Sequence, residues 1–370
     1  MHAEDRHRAI IETTRARGSL TIIELAEALG VSAVTIRGDV RELARRGIVQ
    51  RVHGGVTWPA QDQQAPDPAT PAGTQSRPPS ASGSSRGETH PVYNLGMVVP
   101  HASYYYPEVV NGARAAADAL GAKLVLGVSH NTVAEEQALV ARMLQAPAGL
   151  DGLVLSTVED PRTSPGTEAW LRELPVPVVL AERRTGPATG FVEEVATDHE
   201  YGAHLAVRHL AEQGRTRIAL LQFDTLTAPM LRVGYREALA ALRLSPVSDE
   251  VPNTLTENDL ADLDEKCAKL VRAIEEGLLD AVLVHNDAIA LPLVSRLQAA
   301  GVRIPADLAV VTYDDELAAL ADPPLTGVAP PRHTVGAEAV DLLVARLRDP
   351  DRPTRALRLR PVLHPRGERP

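Results

Sequence analysis

The chain is poor in sulphur and in aromatic rings. Cys267 is its only cysteine in 370 residues, so neither an intrachain disulfide nor a multi-cysteine metal site can form. Aromatics are 3% of the residues, so a local cluster of them carries information. No apolar run is long enough to span a bilayer, and the start, MHAEDRHRAII, lacks an apolar signal core; a cytoplasmic protein without membrane contact is expected. Catalytic patterns are missing as well. There is no phosphate-cradling glycine loop, no HExxH and no nucleophile paired with a base. GSSRG around Ser85 matches the serine-hydrolase pattern formally, but a nucleophile elbow needs a strand before it and a helix after it, and neither is predicted there. The chain is expected not to be an enzyme and to need no cofactor.

What is present divides into three segments: 1–58, 59–90 and 91–370. Hydrophobic content of 44% and charged content of 23% are ordinary for a globular protein. The formal net charge of −10 would repel nucleic acid if spread evenly, so any DNA-binding charge has to be local. In residues 1–58 arginines 6, 8, 15, 17, 37, 41, 45, 46 and 51 slightly outnumber the acids.

Within that segment TIIELAEAL (Thr21 to Leu29) has Ile22, Leu25, Ala26 and Leu29 on one side, as in a short amphipathic helix. Gly30-Val31 makes a turn, and Ser32 can cap a second helix running through AVTIRGDVRELARR. There Ile36, Val40 and Leu43 fall at i, i+4 and i+7 and face a core, whereas Arg37, Arg41 and Arg45 lie on another side. Gly47 stops the helix, and IVQRVHGG then alternates and turns like a small hairpin. A buried apolar face with an arginine stripe opposite is what a recognition helix in a major groove needs.

This stretch resembles the DeoR-type winged helix-turn-helix through RHRAIIE, IIELAEALGVSAVTIRGDVREL and GIVQRVHGG. The resemblance implies operator DNA as partner, with Ser32, Thr35, Arg37 and Arg41 contacting it from the helix and Arg51 and His53 from the wing. Gly38 stands where the family usually has a second arginine. It removes one contact and costs the helix about 1 kcal/mol relative to alanine.

Residues 59–90 are rich in Pro, Ser, Ala, Gly and Gln with almost nothing to bury, and read as a disordered linker. As a flexible coil such a segment would span roughly 30 Å. From Pro91 onward short continuous apolar runs alternate with amphipathic segments, the pattern of a parallel sheet covered on both faces. Strands are predicted at Leu95–Val99, Leu124–Val128, Gly152–Leu155, Val176–Leu180, Ile218–Leu221, Ala281–Val284 and Ala309–Thr312. Helices are predicted at Val109–Leu120, Val133–Leu144, Tyr201–Gln213, Val233–Leu242, Leu260–Glu276, Ile289–Ala300 and Val335–Leu347. About 280 residues of such units exceed one comfortable core, so an α/β domain of two lobes is expected. Ligands in such sheets bind beyond the carboxyl ends of the strands.

This part resembles the effector domain of the LacI/GalR family, which is related to periplasmic sugar-binding proteins. The resemblance rests on NLGMVVP, LDGLVLS, VPVVLAER, VATDHEYGAHLAVRHLAEQGRTRIALL, LRVGYREALAAL, DAVLVHNDAIAL, AAGVRIPADLAVVTYDDE and PPLTGVAPPRHTVGAEAVDLL. It implies a two-lobed, periplasmic-binding-protein-like Rossmann-type domain that senses a small molecule and forms a homodimer. Carried over by position, Arg232, Asn286 and Asp314 match ligand residues, and Glu182 falls where relatives often place an aspartate. Tyr104, Tyr105 and Tyr106 fill the loop after the first strand. Carboxylates, an amide and a guanidinium together satisfy both sides of sugar hydroxyls, and a tyrosine can stack on a sugar face or a base.

Each of these has a plainer alternative. Asn286 or Asp287 can cap the following helix, Asp287 chiefly so, and Asp198 can cap another. Asp315 reads as a solvated neighbour of Asp314, and Arg183 and Arg184 as surface or interlobe salt bridges. Two of the three tyrosines can be packing residues. His199, His204 and His209 are spaced five apart, which does not align them for a metal. The reading is a transcriptional regulator, a repressor, whose operator affinity responds to a sugar; the alternative is a purine or nucleoside. An enzyme or a transporter's binding protein is the third possibility. The family's short hinge helix is replaced by the long linker, so the signal is expected to travel through dimer geometry or effective concentration.

Overall fold

The computed structural model describes residues 93–255 and 260–367, together with part of residues 6–57. Contacts divide the chain into two units, Met1–Arg86 and Gly87–Pro370.

In the first unit β1 (Ser19–Thr21), β2 (Gln50–Val52) and β3 (Gly55–Thr57) form an antiparallel sheet in the order β1-β3-β2. Thr21 was expected in a helix; it pairs with Gly55 instead, so the wing gains a third strand. Ile10, Leu25, Ile36, Val40 and Leu43 are buried, and the i, i+4, i+7 spacing of the last three does what an apolar helix stripe should. Asp39, next to this stripe, accepts from Arg6 Nε at 2.7 Å and meets His7 Nε2 at 3.0 Å. These contacts hold its charge against the helical residues at Arg6 and His7. The expected linker lies outside the described residues.

The second unit contains two six-stranded sheets. The first has the order β14-β8-β7-β6-β4-β5 and is parallel throughout. Its strands are β4 (Asn94–Val99), β5 (Lys123–Val128), β6 (Gly152–Leu155), β7 (Val178–Ala181), β8 (Glu193–Thr197) and β14 (Ala356–Leu359). It carries α1 (Tyr106–Ala119), α2 (Val133–Leu144), α3 (Pro165–Glu173) and α8 (Arg332–Arg348). The second sheet has the order β10-β9-β11-β12-β13-β15 and is parallel except for the last pair. It comprises β9 (Ile218–Phe223), β10 (Thr254–Leu255), β11 (Ala281–His285), β12 (Ala309–Tyr313), β13 (Thr326–Ala329) and β15 (Val362–His364). Its helices are α4 (His199–Glu212), α5 (Ala228–Leu242), α6 (Leu260–Glu275) and α7 (Asp287–Ala299).

The chain passes between these lobes three times, from β8 to α4, from β13 to α8 and from β14 to β15. Central strands are buried on both faces, which is why they read as continuous apolar runs. Strand β8 did not read that way, because it begins with Glu193 and Glu194. Both are buried and paired, Glu193 with Arg346 and Arg352 and Glu194 with Arg358. Arg346 comes from α8, Arg352 from the turn after it and Arg358 from the paired edge strand β14. Helix α3 was also missed, being short and Pro-initiated under the Ser164 cap. Helices α1 and α8 cross so closely that a Cβ on Gly112 would overlap the His333 carbonyl, and one on Gly336 that of Val109.

Candidate functional site

The carboxyl ends of both sheets meet where the chain crosses between lobes, and polar side chains are buried there. Glu182 directly follows β7. Its carboxylate accepts from Tyr105 Oη at 2.7 Å, from Thr197 N at 3.0 Å and from Thr197 Oγ1 at 2.8 Å. His199, the first residue of α4, brings Nε2 to 3.7 Å from the same carboxylate and Nδ1 to 3.0 Å from Tyr313 Oη. Burial opposes ionisation of Glu182, but its bond to His199 and those from Tyr105 and Thr197 outweigh it and hold the carboxyl below its ordinary value.

From the second lobe Asp287, fully buried, accepts from Ala318 N at 3.0 Å, from Leu317 N and from Tyr104 Oη of the first lobe. Asp287 was expected to cap α7. It instead fixes the 317–318 turn, because its side chain points away from its own helix start. Asp314 follows β12. Burial, and then the charge of Asp287, push its carboxyl up to about 7, against the opposing charge of Arg332. Burial and then His199 drive His285 down to about 3, so its imidazole stays neutral. Burial and the neighbouring carboxylates raise the phenols of Tyr104 and Tyr105.

The structure therefore gathers Tyr104, Tyr105, Glu182 and Asp314, together with His199, His285, Asp287, Tyr313 and Arg332, which sequence reasoning did not assign to the cleft. Asn286 adjoins Asp287. It occupies the cap position of α7 without a side-chain cap bond, and its Oδ1 is buried with no partner among the described residues. Tyr106 is buried in the first lobe with Leu95, Val109 and Val335, and its ring meets that of Tyr105 edge to face at 5.6 Å between centroids. Arg232, on α5, reaches Gln222 at the end of β9. With the Gln222 amide turned to satisfy both neighbours, its oxygen accepts from Arg232 Nη1 at 2.5 Å and its nitrogen donates to Ala228 O at 3.2 Å. Among the described residues Arg232 makes no hydrogen bond or ion pair with the carboxylate cluster.

Three further expectations resolve. Asp198 does cap α4, accepting from Tyr201 N at 3.1 Å. Arg184 of the first lobe pairs with Glu200 of the second at 2.7 Å, an interlobe salt bridge, whereas Arg183 donates to the Thr157 and Glu182 carbonyls. Asp315 is not solvated; its side chain is 4% exposed and holds His364 and Arg366. In the first unit Ser32, Thr35, Arg37, Arg41 and His53 lie outside the described residues. For Arg51 only the backbone is described, in β2 opposite Val56. No group of three or more His, Cys, Asp and Glu fit for a metal occurs among the described residues, and no described helix is long and apolar enough to cross a membrane.

Comparison with known proteins agrees with this architecture. Residues 6–62 match the DeoR-like helix-turn-helix domain and residues 207–367 the periplasmic binding protein-like domain. The chain is 30% identical over 278 residues to the HTH-type transcriptional repressor PurR of Vibrio atlanticus, covering 73% of this chain and 79% of that one. The transcription regulator CcpA of Lactococcus lactis superposes with a TM-score of 0.61 at 22% identity, over 75% of this chain and 98% of that one. A complex of the transcriptional regulator CelR with cellobiose superposes with a TM-score of 0.63 at 27% identity, over 74% and 83%. A helix-turn-helix unit, two crossed-over α/β lobes and a relative of this identity and extent place the chain in the LacI/GalR family of ligand-modulated, DNA-binding transcriptional regulators, with a DeoR-like reading head.

Proposed function

We propose that the chain is a repressor, working as a homodimer, whose operator affinity is set by a carbohydrate held between the two lobes. The supporting observation is the cluster at the strand ends. Asp314 and the unpartnered Asn286 Oδ1 supply acceptors in a buried setting, as hydroxyl groups require, with Glu182 and Asp287 holding the surrounding donors in place. Tyr104 joins the first lobe to Asp287 of the second, so a ligand entering there acts directly on lobe closure. The name of the CelR complex gives cellobiose as a bound sugar in a protein of like fold. A homodimer follows from half-site reading, since one winged helix covers half an operator. Ser32, Thr35, Arg37, Arg41, Arg51 and His53 are the proposed DNA contacts. Tyr104, Tyr105, Tyr106, Glu182, Asn286 and Asp314 are the proposed effector contacts, and Arg232 is proposed to act from the Gln222 side.

A purine or nucleoside is the second reading. The tyrosine run favours it, with the Tyr105 and Tyr106 rings 5.6 Å apart, and the repressors named PurR among the relatives point the same way.

Genomic fragments selected by the full-length chain provide the test. Their affinity is measured by gel shift with cellobiose, galactose, hypoxanthine or adenosine added. A tenfold or greater change with a sugar supports the proposal. A change with the purines alone moves the second reading to first. No fragment held more tightly than bulk DNA would remove the repressor altogether.

A further inference from the structure

Arg332 is not among the residues that the sequence marks for the cleft. It opens α8, just past the second crossing between lobes, and its side chain is 9% exposed. Nη2 pairs with Glu316, in the loop after β12. The guanidinium carbon lies 5.4 Å from the centre of the Tyr105 ring, and its charge acts on Asp314. Nη1, however, is buried and has no hydrogen-bond partner among the described residues. A buried guanidinium donor without an acceptor is costly. Single nitrogens of Arg184, Arg346 and Arg352 are in the same condition among the described residues, but that of Arg332 stands beside the Tyr105 ring and Asp314 at the strand ends. The adjacent hydroxyls are already committed, Tyr104 Oη to Asp287 and Tyr105 Oη to Glu182. Asn286 adds an unpartnered acceptor in the same region of the strand ends.

We infer that Arg332 is an effector-binding residue: its Nη1 donates to an oxygen or ring nitrogen of a neutral ligand whose own donors face Asp314 and Asn286. Neutrality follows from the surroundings. Glu182, Asp287 and Glu316 outnumber the Arg332 guanidinium, so an anionic ligand would meet a carboxylate excess. A sugar hydroxyl or ring oxygen and a purine carbonyl or ring nitrogen offer the same acceptor chemistry. Because Arg332 touches Glu316 of one lobe and Tyr105 of the other, its ligand bond would also report on closure.

The inference rests on the proposed effector role of the cleft, and the test separates the two. Full-length wild type, R332K and R332Q are titrated calorimetrically with cellobiose, galactose, hypoxanthine and adenosine. Lysine can keep the pair with Glu316 but has no second nitrogen, so R332K should melt within a few degrees of wild type. It should lose at least tenfold in affinity for whichever probe binds the wild type, and R332Q should lose as much or more. Wild-type affinity in R332K overturns the assignment of Arg332 and leaves the effector role standing, and it decides the matter even where R332Q fails to fold. If no probe binds the wild type, the effector role itself fails and the assignment falls with it. A sugar or a purine as the binding probe identifies the source of the acceptor.

Discussion

Tyr104 and Asp287 lie 183 positions apart in the sequence, yet the phenol of the first lobe donates to the carboxylate of the second. The same carboxylate also accepts from Leu317 N and Ala318 N, so it ties lobe closure to the turn after β12. Replacing the phenol by Tyr104→Phe removes one charge-assisted bond and leaves the other two. Denaturant unfolding of the sensor unit should show a loss of about 2 kcal/mol. An unchanged midpoint would mean that the lobes do not depend on this contact.

Asp314 and His285 have opposite effects on stability as the pH changes. The native Asp314 carboxyl keeps its proton up to about 7, whereas the unfolded chain releases it near 3.8, so stability from this group is lost as pH rises through that window. Native His285 stays neutral down to about 3 while the unfolded imidazole protonates near 6.5, so stability from this group is lost as pH falls from 6.5 towards 3. Asp314→Asn should therefore make stability rise more steeply than in wild type between pH 4.5 and 6.5. His285→Gln should make it fall over the same interval. Unfolding midpoints at the two pH values check both, and parallel profiles for all three proteins would contradict the assignment.

Gly112 and Gly336 allow α1 and α8 to meet backbone to backbone. The obstacle to a side chain is a main-chain carbonyl, which cannot swing aside as a flexible side chain can. Gly336→Ala should cost about 3 kcal/mol through overpacking, with a matching fall in melting temperature. Retention of the wild-type melting temperature would show that the crossing can widen freely.

Asp315 anchors the end of the chain. Its buried carboxylate holds His364 at 2.6 Å and also Arg366, thereby tying β15 and the residues after it to the loop beyond β12. Asp315→Asn should cost about 2 kcal/mol, since the Arg366 side is partly solvated. It should also speed tryptic cleavage at Arg366. Equal cleavage rates in variant and wild type would argue that β15 pairing alone holds the segment.

Some of this was legible in the sequence for a definite reason. A strand covered on both faces must be apolar at every position, so β6, β11 and β12 could be read from their runs, and the 3.6-residue period placed α2 at its observed bounds. The same rule missed β8, whose glutamates are buried only because arginines from α8 and the following segment reach them. It also missed β14 and β15, which alternate exposed and half-buried positions at sheet edges. Asp198 was readable as a cap because its partner is three residues away; Asp287 was not, because its partners are Tyr104 and the 317–318 turn.

The sequence by itself determined the local layer: where strands and helices run, which residues follow each strand, and that an apolar helix stripe stands beside arginines near the N-terminus. Those properties depend on neighbours within a few positions. Only the tertiary structure decided the composition of the cleft. It packed Tyr106 between the core and Tyr105, set Arg232 against Gln222, brought His199 to Glu182 and Tyr313, and left one nitrogen of Arg332 buried without a partner among the described residues. These outcomes depend on which segments three lobe crossings bring together, and on which charges burial then forces to share protons or partners.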